Sequence, residues 1–237
     1  MSQFAVFGLG AFGQRMVEEL MRSGNEVIVV DRDTAMLDDF QNQATVCYGI
    51  DVVKEDVVRQ KIPASIDAAI VDLGNKSEAS ILLTSYLKKM GVAQIIVKAE
   101  SDEMAEVLSM VGATRVVFPG RDIAISLTAQ LLSPSLLRFM AIGGGLVIAQ
   151  MIIPERFVGL RLIDSNIRSE YNVNILAWKE ERGDDFTIIT PEHVFSKDEV
   201  ILALLEEERI SDFSQQLERD SSPGVLRNLF QLFFKAE

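Results

Sequence analysis

Residues 4–20 read FAVFGLGAFGQRMVEEL. A short apolar run, Phe4–Phe7, leads directly into Gly8, Gly10 and Gly13. Apolar residues at helical spacing follow: Phe12, Met16, Val17, Leu20 and Met21, with Gly24 as a stop. A glycine motif G-x-G-x-x-G between a strand and a helix is the context that lifts it above chance. Gly8 allows the tight turn, Gly10 lets a pyrophosphate approach the backbone, and Gly13 lets helix and strand pack closely. The phosphates would face the helix N-terminus, where free N–H groups and the helix dipole favour negative charge.

The same alternation runs outward from this stretch. EVIVV (26–30) is a second apolar strand without polar alternation, so both faces are expected to be buried, as in a parallel sheet. Helices are expected at 34–43, 53–61, 77–91 and 101–112, and strands at 44–49, 67–73, 93–99 and 114–119. This predicts an α/β fold, a Rossmann-like doubly wound parallel sheet, over residues 1–119. Asp31 ends the second strand, where an acid takes the ribose hydroxyls; Arg32 beside it reads as a surface charge. Ligands bind outside the carboxyl ends of such strands. Asp51, Leu73–Asn75 and Lys98–Glu100 therefore line the same crevice, with Asp51 beside the adenine. Lys98 is equally suited to meet a phosphate or to pair with Glu100 or another acid at the sheet end.

Chemistry is harder to find. A dehydrogenase needs an acid–base group beside the hydride. The one histidine, His193, falls in a turn and reads as an exposed loop residue; the tyrosines Tyr48, Tyr86 and Tyr171 lack a lysine four positions on. Cys47 reads as a small residue of a buried strand. No metal-ligand pattern and no catalytic residue is expected. The 237 residues carry a net charge of −12, which argues against binding nucleic acid. No run of about 20 apolar residues suggests a membrane span. With nothing before the first strand to act as a signal, a cytoplasmic protein is expected.

From residue 121 the pattern changes. Residues 121–140 read as a helix, a break at Pro134 and a second short helix, with Ile123, Ile125, Leu127, Leu131 and Leu132 covering more than one side. Such a surface suits a second subunit or the chain's own sheet. After the glycines at 143–145, strands are expected at 146–153, 173–181, 186–190 and 198–206, and helices at 160–172 and 210–218: a small separate α+β domain. The division expected is 1–119, 120–140 as crossover and dimerisation helices, 141–218, and 219–237 as an amphipathic tail helix.

Together FAVFGLGAFG, NEVIVVDRD, AAIVDLGNKSEAS, IIVKAES, LSMVGATRVVFP and the run FVGLRLIDSNIRSEYNVNILAWKEE, in this order, resemble the regulator of potassium conductance (RCK) family, in its single-unit Ktr and Trk form. The resemblance covers residues 1–217. It implies a cytoplasmic regulatory subunit that forms dimers and an octameric ring under a membrane potassium channel subunit, KtrB- or TrkH-like. There ATP or ADP, or NAD or NADH, would act as the switch, and cyclic di-AMP is a ligand of the C-terminal domain in similar proteins. The candidate nucleotide-binding residues are then Gly8, Leu9, Gly10, Ala11, Phe12, Gly13, Asp31, Arg32, Asp51, Val52, Leu73, Gly74, Asn75, Lys98, Ala99 and Glu100. Ala11 stands where ATP-responsive relatives carry an arginine that reaches a neighbour's terminal phosphate, and Gly120 where relatives carry a glutamate used with a divalent ion. Which adenine nucleotide switches the ring stays open at this point. The alternative reading of the same crevice is an NAD-dependent oxidoreductase.

Overall fold

The computed structural model describes residues 2–133, 135–206 and 208–214. They cluster into two units that divide between Pro119 and Gly120.

In the first unit strands and helices alternate: β1 (Gln3–Phe7), α1 (Ala11–Arg22), β2 (Glu26–Asp31), α2 (Thr34–Asp38), β3 (Val46–Gly49), α3 (Glu55–Lys61), β4 (Ala68–Val71), α4 (Ser77–Met90), β5 (Gln94–Lys98), α5 (Asp102–Val111) and β6 (Arg115–Val117). All strand pairs are parallel, in the order β3-β2-β1-β4-β5-β6. Successive side chains of a strand point to opposite faces, and here both faces are covered. Ala5 and Phe7, Ile28 and Val30, and Ala69 and Val71 pack with Val58 of α3, Leu83 and Leu87 of α4 and Leu108 of α5. Val6, Val27, Val29 and Ile70 pack with Val17 of α1 and Leu37 of α2. Apolar burial on both sides of the central strands is why their sequences run apolar without alternation. The expected doubly wound sheet is found. The helix expected over 34–43 is only the short α2, and Asp33 caps it by accepting a hydrogen bond from the Ala35 amide (3.0 Å). Ser101 does the same for α5 through the Met104 amide (3.3 Å). The strand order reverses between β1 and β4, whose last residues, Phe7 and Val71, lie side by side. A crevice opens at this point in such folds.

Helix α6 (Pro119–Leu132) starts on the last residue of the first unit, and the second unit continues with β7 (Leu136–Gly143), β8 (Leu146–Ile152), α7 (Ile167–Tyr171), β9 (Asn174–Lys179), β10 (Thr187–Ile188), β11 (Val200–Glu206) and α8 (Arg209–Ser214). Its five strands are antiparallel, in the order β10-β9-β11-β8-β7. One face carries Val147, Ala149, Met151, Ile201, Ala203 and Leu205, packed with Phe157, Ile167, Phe195, Ile210 and Phe213.

Three expectations are corrected here. The second helix expected after Pro134 is instead β7, whose exposure alternates residue by residue and which pairs with β8. Gly143, Gly144 and Gly145, all at positive φ (102°, 63°, 77°), turn the β7–β8 hairpin. The helix expected over 160–172 is interrupted. A 3-10 turn at Leu162–Asp164 is separated from α7 by Asn166, held at φ 55° in the left-handed region. The strand expected over 186–190 is reduced to Thr187–Ile188. The amphipathic tail over 219–237 and the last part of the helix expected over 210–218 lie outside the described residues.

Candidate functional site

The glycine loop is drawn down onto the sheet end by its own backbone. The Gly8 amide donates to the Val30 carbonyl (2.7 Å) and the Asp72 amide to the Phe7 carbonyl (2.8 Å), joining the ends of β2, β1 and β4. Gly8 sits at φ +92°, and a Cβ there would run into the Asp72 carbonyl oxygen. A Cβ on Gly13 would run into the Gly8 carbonyl, and one on Gly10 would lie 2.5 Å from Asp72 Oδ2. Gly8 and Gly13 are thus required by neighbouring backbone, whereas Gly10 faces only the Asp72 carboxylate. Gly10 is the N-cap of α1, and with no side chain it supplies no capping acceptor.

Asp31 completes the turn. Its Oδ2 accepts from the Leu9 amide (2.7 Å) and its Oδ1 from the Asp33 amide (2.8 Å). Each carboxylate oxygen accepts two hydrogen bonds at its in-plane positions. Both therefore keep acceptor capacity for the two hydroxyls of a ribose. Asp51 turns its own loop in the same manner, accepting from the Val53 amide (3.2 Å).

These loops enclose a cleft of about 380 Å³. Of the residues singled out from sequence, Gly8, Leu9, Gly10, Asp31, Arg32, Asp51, Val52, Leu73 and Gly74 form its walls. Ala11 and Phe12 stand in the first turn of α1 and Gly13 is buried beneath it; these three are not wall residues. Neither are Asn75, Lys98, Ala99 and Glu100. Lys98 makes the pairing named as the second of its two expected roles. Its Nζ lies 2.9 Å from Glu100 and 3.3 Å from Asp72. The hydrogen bond to Glu100, joined by the charge of Asp72 and opposed by partial burial, raises its pKa above the usual lysine range.

Sequence reasoning missed further wall residues: Val30, Asp33, Met36, Ile50, Val53, Asp72, Lys76 and Ala79. Met36, Ile50 and Val53 supply an apolar surface beside Asp51, the kind a flat base needs. Asp72 is the most consequential omission. Its side chain is 1% exposed, and its Oδ2 accepts from the Gly13 amide (3.0 Å) in the first turn of α1. Its only sequence signal was an acid closing a fully apolar strand.

The acid–base candidates weighed from sequence lie elsewhere. No histidine, cysteine or tyrosine is among the described wall residues. Cys47, in β3, is half-buried, and burial pushes its thiol pKa up. His193 corrects an expectation: it is not an exposed loop residue. Its ring stacks on Trp178 (4.3 Å between centroids) and its Nε2 lies 2.7 Å from Oε1 of the buried Glu199. Both residues belong to the second unit. Among the described residues no group of three or more histidines, cysteines and carboxylates is arranged to hold a metal ion.

The family model of the TrkA-N domain matches residues 4–119. The Ktr system potassium uptake protein C of Bacillus subtilis (strain 168) is 31% identical over 217 residues, covering 91% of this chain and 97% of that protein. The Ktr system potassium uptake protein A of Vibrio alginolyticus is 32% identical over 180 residues, covering 75% and 80%. Among solved structures, the GsuK channel bound to NAD superposes with a TM-score of 0.65 at 18% identity, over 93% of this chain and 40% of that one. The GsuK RCK domain gives 0.64 at 18% identity, over 93% and 48%. The chain thus spans less than half of those two solved chains and shares their fold, while it spans nearly all of the Bacillus relative. With that match running through both the parallel-sheet unit and the antiparallel one, the chain belongs to the family of the Ktr system potassium uptake proteins, built on a TrkA-N domain.

Proposed function

We propose that this chain is a regulatory subunit of a potassium uptake system and that its first unit binds an adenine nucleotide as a signal. The observation that carries this reading is the cleft at the β1–β4 reversal. Its glycine loop and Asp31 are prearranged for a ribose and a phosphate chain, and its described walls lack a histidine, cysteine or tyrosine to serve as acid or base. Hydride transfer can also draw its acid or base from Asp or Lys; the walls hold Lys76 and four aspartates, and Asp31, Asp33, Asp51 and Asp72 each already accept a backbone amide hydrogen bond. The alternative reading as an oxidoreductase draws no support from this cleft beyond the shared nucleotide. The nucleotide would lie with its base against Met36, Ile50 and Val53, its ribose on Asp31 and its phosphates over Gly8–Gly13.

Assembly follows the same reading. On α6, Ile123, Leu127 and Leu131 recur every four residues and are 60%, 53% and 81% exposed. A stripe of that kind favours a helix packed on a second copy, and repeated contacts of this sort would close an octameric ring beneath a membrane potassium channel subunit, at the cytoplasmic face. Among the described residues no helix is long and apolar enough to cross a membrane. Cyclic di-AMP, if the second unit takes it, would be sought in the cleft of about 640 Å³ walled by Ile163, Arg168, Asn174 and Ile175, which offers a guanidinium for phosphate and apolar side chains for bases.

The test is light scattering of the purified chain with and without ATP, ADP, NAD or NADH. A ring-sized particle whose dimensions depend on nucleotide is expected; a stable monomer at micromolar concentration, unchanged by all four, would overturn the reading.

A further inference from the structure

The buried carboxylate of Asp72 is not explained by the need to hold a nucleotide. It occupies the end of α1 where an anion would bind, with Oδ2 accepting from the Gly13 amide (3.0 Å). It lies directly behind the glycine backbone, since a Cβ on Gly10 would be 2.5 Å from the same oxygen. One amide of the helix N-terminus is therefore spent inward, and a fixed negative charge stands across the backbone from the phosphate position. Lys98 does not cancel it in full. Its ammonium, 3.3 Å from Asp72, is nearer to Glu100 at 2.9 Å, so one cation serves two carboxylates. The cleft walls repeat the imbalance: Asp31, Asp33, Asp51 and Asp72 against Arg32 and Lys76.

Repulsion from a fixed charge grows with the charge of the ligand, and burial weakens its screening. A pyrophosphate diester carries a single ionised oxygen on each phosphate. A free di- or triphosphate adds a terminal monoester of about −1.5 to −2 at neutral pH. We propose that Asp72 is a specificity-determining residue: it limits the charge of the phosphate chain, so that the cleft prefers a dinucleotide with a pyrophosphate diester over ADP, and ADP over ATP. The proposal rests on the reading of the cleft as an adenine-nucleotide site and names which ligand that site takes.

The experiment is calorimetry of the full-length chain with NADH, ADP and ATP in the absence of divalent ions, for the unaltered protein, Asp72→Asn and Glu100→Gln. Asparagine keeps an acceptor for the Gly13 amide but removes the charge. The unaltered protein should bind NADH at least about tenfold more tightly than ATP. Asp72→Asn should close most of that gap by strengthening ATP. Glu100→Gln alters a side chain that is 59% exposed and leaves Lys98 to Asp72 alone; it should narrow the gap by about threefold. ATP binding as tightly as NADH to the unaltered protein would overturn the proposal. So would a gap that neither variant moves, and Glu100→Gln decides the point even if Asp72→Asn fails to fold. Absence of binding by all three nucleotides is a separate result that overturns the nucleotide-site reading itself, and this proposal with it.

Discussion

The two units bury their sheets in opposite ways. In the first, every residue of β4 is buried and the sheet is covered on both faces. In the second, β8 and β11 alternate buried with partly exposed residues, and Met140, Ile142 and Leu146 of the β7–β8 hairpin are 61%, 52% and 40% exposed. A parallel sheet needs its connecting helices on both faces, so covering comes with the topology. An antiparallel sheet made by hairpins has no such requirement. The first unit is therefore a closed body whose opening is the crevice at its sheet end. The second keeps apolar surface available for other chains. The contrast divides the proposed labour: one unit reads the nucleotide, the other serves assembly.

Substitutions can break this comparison, and the largest effect is expected in the closed unit. Gly8→Ala puts a Cβ against the Asp72 carbonyl at a φ of +92°, which should cost about 2–4 kcal/mol. Calorimetric unfolding should show the loss in one of two transitions, with the other unchanged; a uniform shift of both would mean that the units are not separate folding bodies. Asp31→Ala comes next. It removes a carboxylate that supports the loop and faces the ribose position, and it should weaken nucleotide binding by about 1–3 kcal/mol. Unchanged affinity by titration calorimetry would mean that the ribose is held elsewhere. The smallest effect on stability is expected for Leu131→Ser, whose side chain is 81% exposed. It should stay within about 0.5 kcal/mol by thermal unfolding, yet reduce particle size by light scattering. Retention of full size would remove α6 from the interface.

The same contrast decides how much could be read in the sequence. Strands buried on both faces leave uninterrupted apolar runs such as AVF and VIVV, and glycine turns separate them from helices, so the first unit and its loop residues were legible. Asp72 was not. It lies 59 positions from Gly13, and only the adjacency of β1 and β4 brings the two together; an acid after a strand otherwise looks like any sheet-end charge. Lys98 was legible only as a choice, because Glu100 and Asp72 compete for it in space. In the second unit β7 was misread because both of its faces are apolar. A register shift between Leu136 and Arg138 puts the exposed Met140 on the face opposite the buried Leu136, although both positions are even-numbered, and so breaks the period of two. The burial of His193 depends on Trp178 and Glu199, residues on other strands or turns that no local pattern connects to it.

The central claim is that an adenine nucleotide occupies the cleft at the end of the parallel sheet. Hydrogen exchange of the full chain with and without NADH tests it most directly. The account predicts slowed exchange at the amides of residues 8–13, 31–33, 51–53 and 72–76 when the nucleotide is present. Unchanged exchange at 8–13 under saturating NADH would contradict it.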